Sequence, residues 1–314
     1  MSVIGIVCEF NPFHNGHKHL IDSVKRDGDI VVCVMSGNYV QRGEPAIFPK
    51  DIRVKSALVN GADIVLELPF VYATASAEIF AKNAVKILTS FGCDKIAFGT
   101  ENASVHQLEK TVEIMLSDDF DAKVKKNLET GVNYPTARQI AFNYYLVDCD
   151  ILLPNNILAI EYLSAIKKNN YNITPVVVNR EGADYNDEFA VDKFASATYI
   201  RTLIKDKKDF SKFVPKSAND IYVQSLNEGN WLDSEKFNTV ALAVLRSSNN
   251  DFSSVANMAE GLENRLVYSI KDSLTLYELY DKVKTKRYTH SRIRRAVLAA
   301  TIGVLESDIK IDVP

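Results

Sequence analysis

Four short apolar runs in the first hundred residues, Val3–Cys8, Ile30–Met35, Ile64–Leu68 and Lys95–Phe98, constrain this chain most. Each has the length of a strand and is apolar apart from Glu67 in the third and Lys95 in the fourth. Helical patterns fill the intervals, from Asn15 to Arg26, Lys50 to Asn60 and Ala75 to Phe91. Short apolar strands separated by helices describe βαβ units and a parallel sheet covered on both faces. Such crossovers are right-handed as a rule. The expected architecture is α/β, a doubly wound parallel sheet.

Beyond residue 100 the pattern becomes mostly helical, near Val105–Leu116, Ala122–Thr130, Thr136–Tyr145 and Ile157–Lys168. One more strand is expected at Ile173–Val178, then a polar loop, Asn179–Phe194, and a short helix, Ala197–Ile204. From about Val214 only helices are expected, the clearest at Ser234–Arg246, Met258–Lys271, Thr275–Val283 and Ser291–Val304. Pro215 and its polar neighbours mark the best boundary. The expected division is an α/β domain over 1–213 and a smaller all-helical domain over 214–314.

At 314 residues, with 46% hydrophobic and 25% charged residues, the chain can bury a large core. That composition excludes a disordered chain, a collagen-like repeat and a disulfide mini-protein. A net charge of -3 gives no global sign of a polyanion partner, while local patches stay open. Cys8, Cys33, Cys93 and Cys149 form no CxxC pair and read as reduced thiols. No apolar stretch approaches the roughly 20 residues that span a bilayer. No basic segment precedes the first apolar run, so no signal peptide is read. The expected location is the cytoplasm.

In an open parallel sheet, ligands bind beyond the carboxyl ends of the strands, where strand order reverses. The loop after the first strand reads Glu9-Phe10-Asn11-Pro12-Phe13-His14-Asn15-Gly16-His17. His14 and His17, three apart at a helix start, share one face. Unpaired N–H groups and the positive end of the helix dipole lie there too. With two imidazoles this suits phosphate oxygens. Gly16 leaves room for a close backbone approach, and Asn11-Pro12 fixes the turn out of the strand. A surface histidine pair is the plain alternative. Zinc on His14, His17 and His19 is another, although neither HExxH nor a nearby Cys supports it.

His14-Asn15-Gly16-His17 resembles the HxGH signature of the nucleotidyltransferase superfamily. The longer string from Glu9 is more specific, as is Met35-Ser36-Gly37-Asn38-Tyr39-Val40-Gln41-Arg42-Gly43-Glu44-Pro45-Ala46. With Glu67-Leu68-Pro69-Phe70 and Phe98-Gly99-Thr100-Glu101, they resemble the bacterial tRNA(Met) cytidine acetate ligase family, in chain order from Val3 to at least Arg201. The resemblance implies a sheet of the HxGH nucleotidyltransferase type. It also implies a two-step ligase reaction. Acetate and ATP give acetyl-adenylate and pyrophosphate; the acetyl group then passes to the wobble cytidine of elongator tRNA(Met), giving N4-acetylcytidine.

Residue roles follow from the same resemblance. His14 and His17 are the implied catalytic pair on the triphosphate. The implied ATP-binding stretch is Val7, Cys8, Glu9, Phe10, Asn11, Pro12, Phe13, His14, Asn15, Gly16, His17, Lys18, His19 and Leu20. Gly99 is expected against adenine or ribose. Asn155, with Asn156 as its alternative, and Arg180 resemble further ATP contacts. Ser196, Thr198 and Arg201 resemble the superfamily's second phosphate-binding motif, for which an ordinary N-capped helix is the plain alternative. Gln41, Arg42 and Glu44 form a polar loop at a strand's carboxyl end, where substrate or phosphate contact is expected and a solvated surface loop is the plain alternative. Mg²⁺ is expected with ATP on general grounds, and no dedicated metal cage is read.

The helical tail carries a basic run with no acidic residue inside it: Lys282, Lys284, Lys286, Arg287, Arg292, Arg294 and Arg295. It reads either as a solvated face or as a tRNA backbone contact, with Lys286, Arg287, Arg292, Arg294 and Arg295 the candidates. Trp231 is expected in a core. Family members run longer past the helix Ser291–Val304, which bears on RNA recognition more than on ATP. Two rival readings are a nucleotidyltransferase acting on a small phosphorylated molecule and a non-catalytic RNA-binding protein.

Overall fold

A computed structural model describes residues 1–101, 103–179, 192–248 and 251–310. Arg180 and most of the polar loop after it lie outside the described residues. The first half runs β1 (Val3–Cys8), α1 (Asn15–Val24), β2 (Ile30–Ser36), β3 (Tyr39–Val40), β4 (Glu44–Pro45), α2 (Lys50–Leu58), β5 (Ile64–Leu68), α3 (Phe70–Ala73), α4 (Ala77–Ser90) and β6 (Lys95–Thr100). There follow α5 (Val105–Met115), α6 (Asp118–Leu128), α7 (Tyr134–Asn143), α8 (Pro154–Lys168), β7 (Thr174–Asn179), α9 (Ala197–Lys205) and α10 (Lys216–Asn227). The chain continues through α11 (Ser234–Ser247), α12 (Leu262–Ile270), α13 (Leu276–Val283) and α14 (His290–Ile302).

The five long strands form one parallel sheet in the order β5-β2-β1-β6-β7. Strand order reverses at β1, which pairs with β2 on one side and β6 on the other. Alternate side chains of β2 serve opposite faces, as the pleat requires. Val31, Cys33 and Met35 pack with α1, α2, α9 and α10. Val32 and Val34 pack with α4, α5 and α8. That two-sided burial is why β2 reads as an unbroken apolar run from Ile30 to Met35.

The expected elements are present, with shifted ends that have local causes. α6 begins at Asp118 rather than Ala122, because Ser117 caps it and Asp118, Asp119 and Asp121 complement its dipole. α12 begins at Leu262 rather than Met258, directly after Gly261 at φ 85°. The loop expected at Gln41–Glu44 joins the two short antiparallel strands of a hairpin, β3–β4.

α10 was not among the expected helices. Its Ala218, Ile221 and Tyr222, with Val214, lie in the core beneath the sheet. Trp231 packs against that same core, and Leu232 N–H donates to Ile47 O at 2.8 Å. A separate core begins with Ala241 and Leu242 of α11 and includes Val283 and Ile293. A division at 213/214 therefore leaves α10 on the helical side in sequence but on the α/β side in packing.

The helical unit docks on the hairpin. Gly43 has φ 78°, and a Cβ built there lies 2.5 Å from Arg295 N. The backbone of α14 thus rests on a position that only glycine accommodates. Arg294 donates to Glu44 beside it. Asn133 Nδ2, at the start of α7, donates to Lys286 O at 3.0 Å. No helix among the described residues is long and apolar enough to cross a membrane.

Candidate active site

A cleft of about 1020 Å³ opens beyond the carboxyl ends of β1, β6 and β7 and extends to the helical unit. Its β1 side is built by a loop held from several directions. Phe10 has φ 44°, a conformation costly for an aromatic residue. Its buried ring packs against Phe13 and His17, each 4.9 Å away between centroids. Asn11 Oδ1 accepts from Ile47 N–H at 2.8 Å. Phe13 N–H donates to the Tyr222 hydroxyl at 2.9 Å. Arg53, fully buried, donates to the carbonyls of Glu9, Ser36, Gly37 and Phe48. One guanidinium fork thereby ties the ends of β1 and β2 to the entry of α2.

His14 caps α1. Its Nδ1 accepts from Gly16 N–H at 3.1 Å, and His17 Nδ1 accepts from His14 N–H at 3.2 Å. The two rings stack at 3.8 Å. An imidazole nitrogen that accepts carries no proton, so the neutral form of each ring holds its proton on Nε2. The reciprocal cap thus selects one tautomer for both histidines, with the proton on Nε2. Both residues line the cleft.

Gly16 has a use beyond ligand approach. A Cβ here lies 2.9 Å from His14 Cε1 and 3.1 Å from His14 Nδ1. Glycine is needed so that the His14 ring can fold back over its own helix. Gly16→Ala is therefore expected to displace that ring and lower acetate-dependent pyrophosphate exchange by about tenfold or more, since misplacements near 1 Å cost up to about 10²-fold. Helix propensity favours the alanine by about as much as the disturbed cap costs, roughly 1 kcal/mol each, so the melting temperature should change little. An unaltered exchange rate in Gly16→Ala would remove this role.

The expected ATP-binding stretch divides by position. Val7, Cys8, Glu9, Phe10, Asn11, His14, Gly16, His17, His19 and Leu20 line the cleft. Pro12, Phe13, Asn15 and Lys18 do not. Pro12 and Phe13 are buried in the loop's support. Asn15 Nδ2 donates to Lys193 O and Lys212 O at 2.8 and 3.0 Å. Lys18 pairs with Asp22 on the outer face of α1.

Gly99 lies within β6, opposite Val178 of β7, and lines the cleft with Asn155. The two asparagines separate clearly. Asn156 is fully buried, accepts from Glu101 N–H at 2.9 Å and donates to Asp150 O at 2.9 Å. Asn155, bonded to the Glu101 carboxylate, is the one that faces the cleft.

On the opposite wall Ser196 caps α9 by accepting from Tyr199 N–H at 3.0 Å. The capped-helix reading and the cleft reading hold together, because Ser196, Thr198 and Arg201 all line the cleft. Arg201 donates to Asn11 O at 2.8 Å and to Thr198 Oγ1 at 3.0 Å. These contacts aim its guanidinium beside the histidine loop.

Gln41, Arg42 and Glu44 also line the cleft. Gln41 N–H donates to Glu9 Oε1 at 2.7 Å and Gln41 Nε2 to Ala75 O at 2.9 Å. Burial holds the Glu9 carboxyl above the usual range; the Gln41 N–H, then Arg201, Arg53 and Arg42, pull the other way.

Of the basic run, Arg287, Arg292 and Arg295 line the cleft, whereas Lys286 and Arg294 do not. Arg292 pairs with Glu260 at 2.8 Å, and Arg294 pairs with Glu44. Burial lowers the Arg295 guanidinium to about 10. Both acidic partners lie far from the run in sequence, so it looks uniformly basic there and is partly neutralised in the fold. Among the described residues, no three or more His, Cys, Asp or Glu side chains converge as a metal site. The Nδ1 atoms of His14 and His17 face backbone N–H groups.

Sequence reasoning missed Arg138. It lines the cleft from α7 and pairs with buried Glu161 of α8 at 2.6 Å. Nothing in its own helix signals this, because the partner that fixes it is 23 positions away. Arg53 was missed for the same reason.

Over residues 1–312 the chain matches the family described as HIGH Nucleotidyl Transferase. It is 40% identical over 312 residues to the tRNA(Met) cytidine acetate ligase of Thermosipho africanus, covering 96% of this chain and 74% of that one. The protein of the same name from Acetivibrio thermocellus is 38% identical over 328 residues, covering 98% and 79%. The crystal structure of apo Thermotoga maritima TmcAL superposes with a TM-score of 0.92 at 33% identity, covering 99% of this chain and 77% of that one. The same protein bound with alpha-thio ATP gives a TM-score of 0.88. The paired histidines at the reversal of a parallel sheet, and a likeness that runs nearly end to end, place this chain in the HIGH nucleotidyltransferase family, among the tRNA(Met) cytidine acetate ligases.

Proposed function

We propose that the protein activates acetate with ATP as acetyl-adenylate and transfers the acetyl group to the wobble cytidine of elongator tRNA(Met), forming N4-acetylcytidine. The observation that carries this reading is the stacked pair His14 and His17 at the N-terminus of α1, both lining the cleft beside Arg201. Acetate oxygen attacks the α-phosphorus, pyrophosphate leaves, and charge grows on the phosphate oxygens. Fixed donors aimed at that charge act on the transition state and need no reorganisation. The first turn of α9 adds N–H groups at a helix N-terminus.

Gly99 and Asn155 are suited to the nucleoside, because one removes a side chain at the sheet edge and the other brings amide donors and an acceptor. Mg²⁺ accompanies ATP; the phosphates and water supply most of its ligands, and when bound it would neutralise phosphate charge. The reading places tRNA across the cleft's outer end, where Arg287 and Arg295 line it and exposed Lys286 adjoins. The cytoplasm, where tRNA and ATP meet, is the location that fits this reaction.

The test is incubation of the protein with ATP, labelled acetate and bacterial tRNA. Pyrophosphate release that requires acetate, with label in tRNA(Met), is the expected result. Release with some other small substrate and none with acetate would favour the rival nucleotidyltransferase reading. No release with any small acid would leave the ligase reading without support.

A further inference from the structure

We propose that Glu9 is the base that takes the proton from the acceptor amine in the second step. This rests on the acetyl-transfer reading above and adds a named group to it. Glu9 stands directly after β1, the strand at which sheet order reverses, five residues before His14. It lines the same cleft. One oxygen, Oε1, is held by Gln41 N–H at 2.7 Å, while Oε2 has no hydrogen-bond partner among the described residues. The carboxylate is thus oriented at one end and open at the other, the arrangement a proton acceptor needs.

The chemistry calls for such a group. The exocyclic amine of cytosine shares its lone pair with the ring and is a weak nucleophile. As its nitrogen forms a bond to the acetyl carbon, the bond from that carbon to the phosphate oxygen breaks. AMP leaves as its anion, and the amine's proton passes to Glu9 Oε2. The histidines cannot readily serve here, because their Nδ1 atoms accept backbone N–H bonds and Nε2 already carries the proton.

The groups facing Glu9 are Arg201 from α9, Arg42 from the hairpin, Arg53 from α2, Cys8 on β1 and Tyr162 on α8. The three guanidiniums favour the carboxylate. Cys8 and Tyr162 are kept protonated by burial and add no charge. Burial outweighs the guanidiniums, so Glu9 titrates above the usual carboxylate range and is a stronger base than a surface glutamate. Protonation at low pH removes its basicity, so the transfer step should fall as pH drops through this raised value.

The test separates the two steps in the full chain. Acetate-dependent pyrophosphate exchange reports activation; single-turnover transfer of labelled acetyl to a tRNA(Met) transcript, across pH, reports the second step. Glu9→Gln keeps the shape and the acceptor for Gln41 N–H. It is expected to slow transfer at least ten times more than exchange and to abolish the acid limb of the transfer profile. Glu9→Asp, shorter by a methylene, should slow transfer and retain that limb. Thermal melting of both variants checks the fold, and Glu9→Asp reads the limb if Glu9→Gln melts early. Equal losses in both steps, or an acid limb that survives in Glu9→Gln, would overturn the assignment and leave Glu9 as a loop anchor. Lack of acetate-dependent exchange in the unaltered protein would instead overturn the underlying reading.

Discussion

His14→Asn is expected to lower acetate-dependent pyrophosphate exchange by about 10²-fold or more while the protein melts close to the unaltered temperature. Asparagine separates two roles that alanine would confuse. His14 closes α1 with Nδ1, and its side chain lines the cleft. Loss of an N-cap alone costs about 1 kcal/mol, and Asn is among the best caps, so the stability change should stay below about 1 kcal/mol. The Asn side chain is too short to place a donor where Nε2 stood. Removal of one preorganised donor at developing charge costs roughly 10²–10³ in rate. His17 should also become less well placed, because the 3.8 Å ring stack is lost. Exchange within threefold of the unaltered protein would show that the phosphate charge is stabilised elsewhere.

Arg53→Met should produce the largest loss of stability of any single change considered. The side chain is fully buried and serves four backbone carbonyls, with Nε to Phe48 O and Nη2 to Ser36 O both at 3.1 Å. Methionine fills much of the volume and satisfies none of these oxygens. Removing one partner from a buried charged set costs about 3–5 kcal/mol, or on the order of 10 °C in melting temperature for a chain of this size. Arg53→Lys should recover little, since one ammonium cannot reach oxygens spread around a planar fork. Exchange activity should fall as well, because Glu9 and the loop it begins are tied through this residue. Thermal unfolding followed by circular dichroism is the measurement. A melting point within 2–3 °C, roughly 1 kcal/mol at this size, would mean that water replaces the guanidinium.

The sheet strands were legible because parallel strands covered on both faces are largely apolar, and Val3–Cys8 and Ile64–Leu68 appear with the expected bounds, the latter interrupted only by exposed Glu67. The hairpin and α10 were not. Two-residue strands carry no period, and α10 keeps only Ala218, Ile221, Tyr222 and Ser225 buried in twelve residues. The paired histidines were legible because both bonds that orient them lie within three residues. The basic run was legible as charge but not as structure, since Glu44 lies 250 positions from Arg294.

By itself, then, the sequence determined what depends on neighbours along the chain: buried strands, the capped helix, the histidine pair and the family they point to. Tertiary structure alone decided which groups meet across the chain. It made Gly16 the space for His14, gave Arg53 its four carbonyls, paired Arg292 and Arg294 with acidic partners, and brought Gln41 N–H to Glu9. The physical reason is range: caps and pleats act over a few residues, whereas burial and charge pairing act through space, wherever the fold brings the partners together.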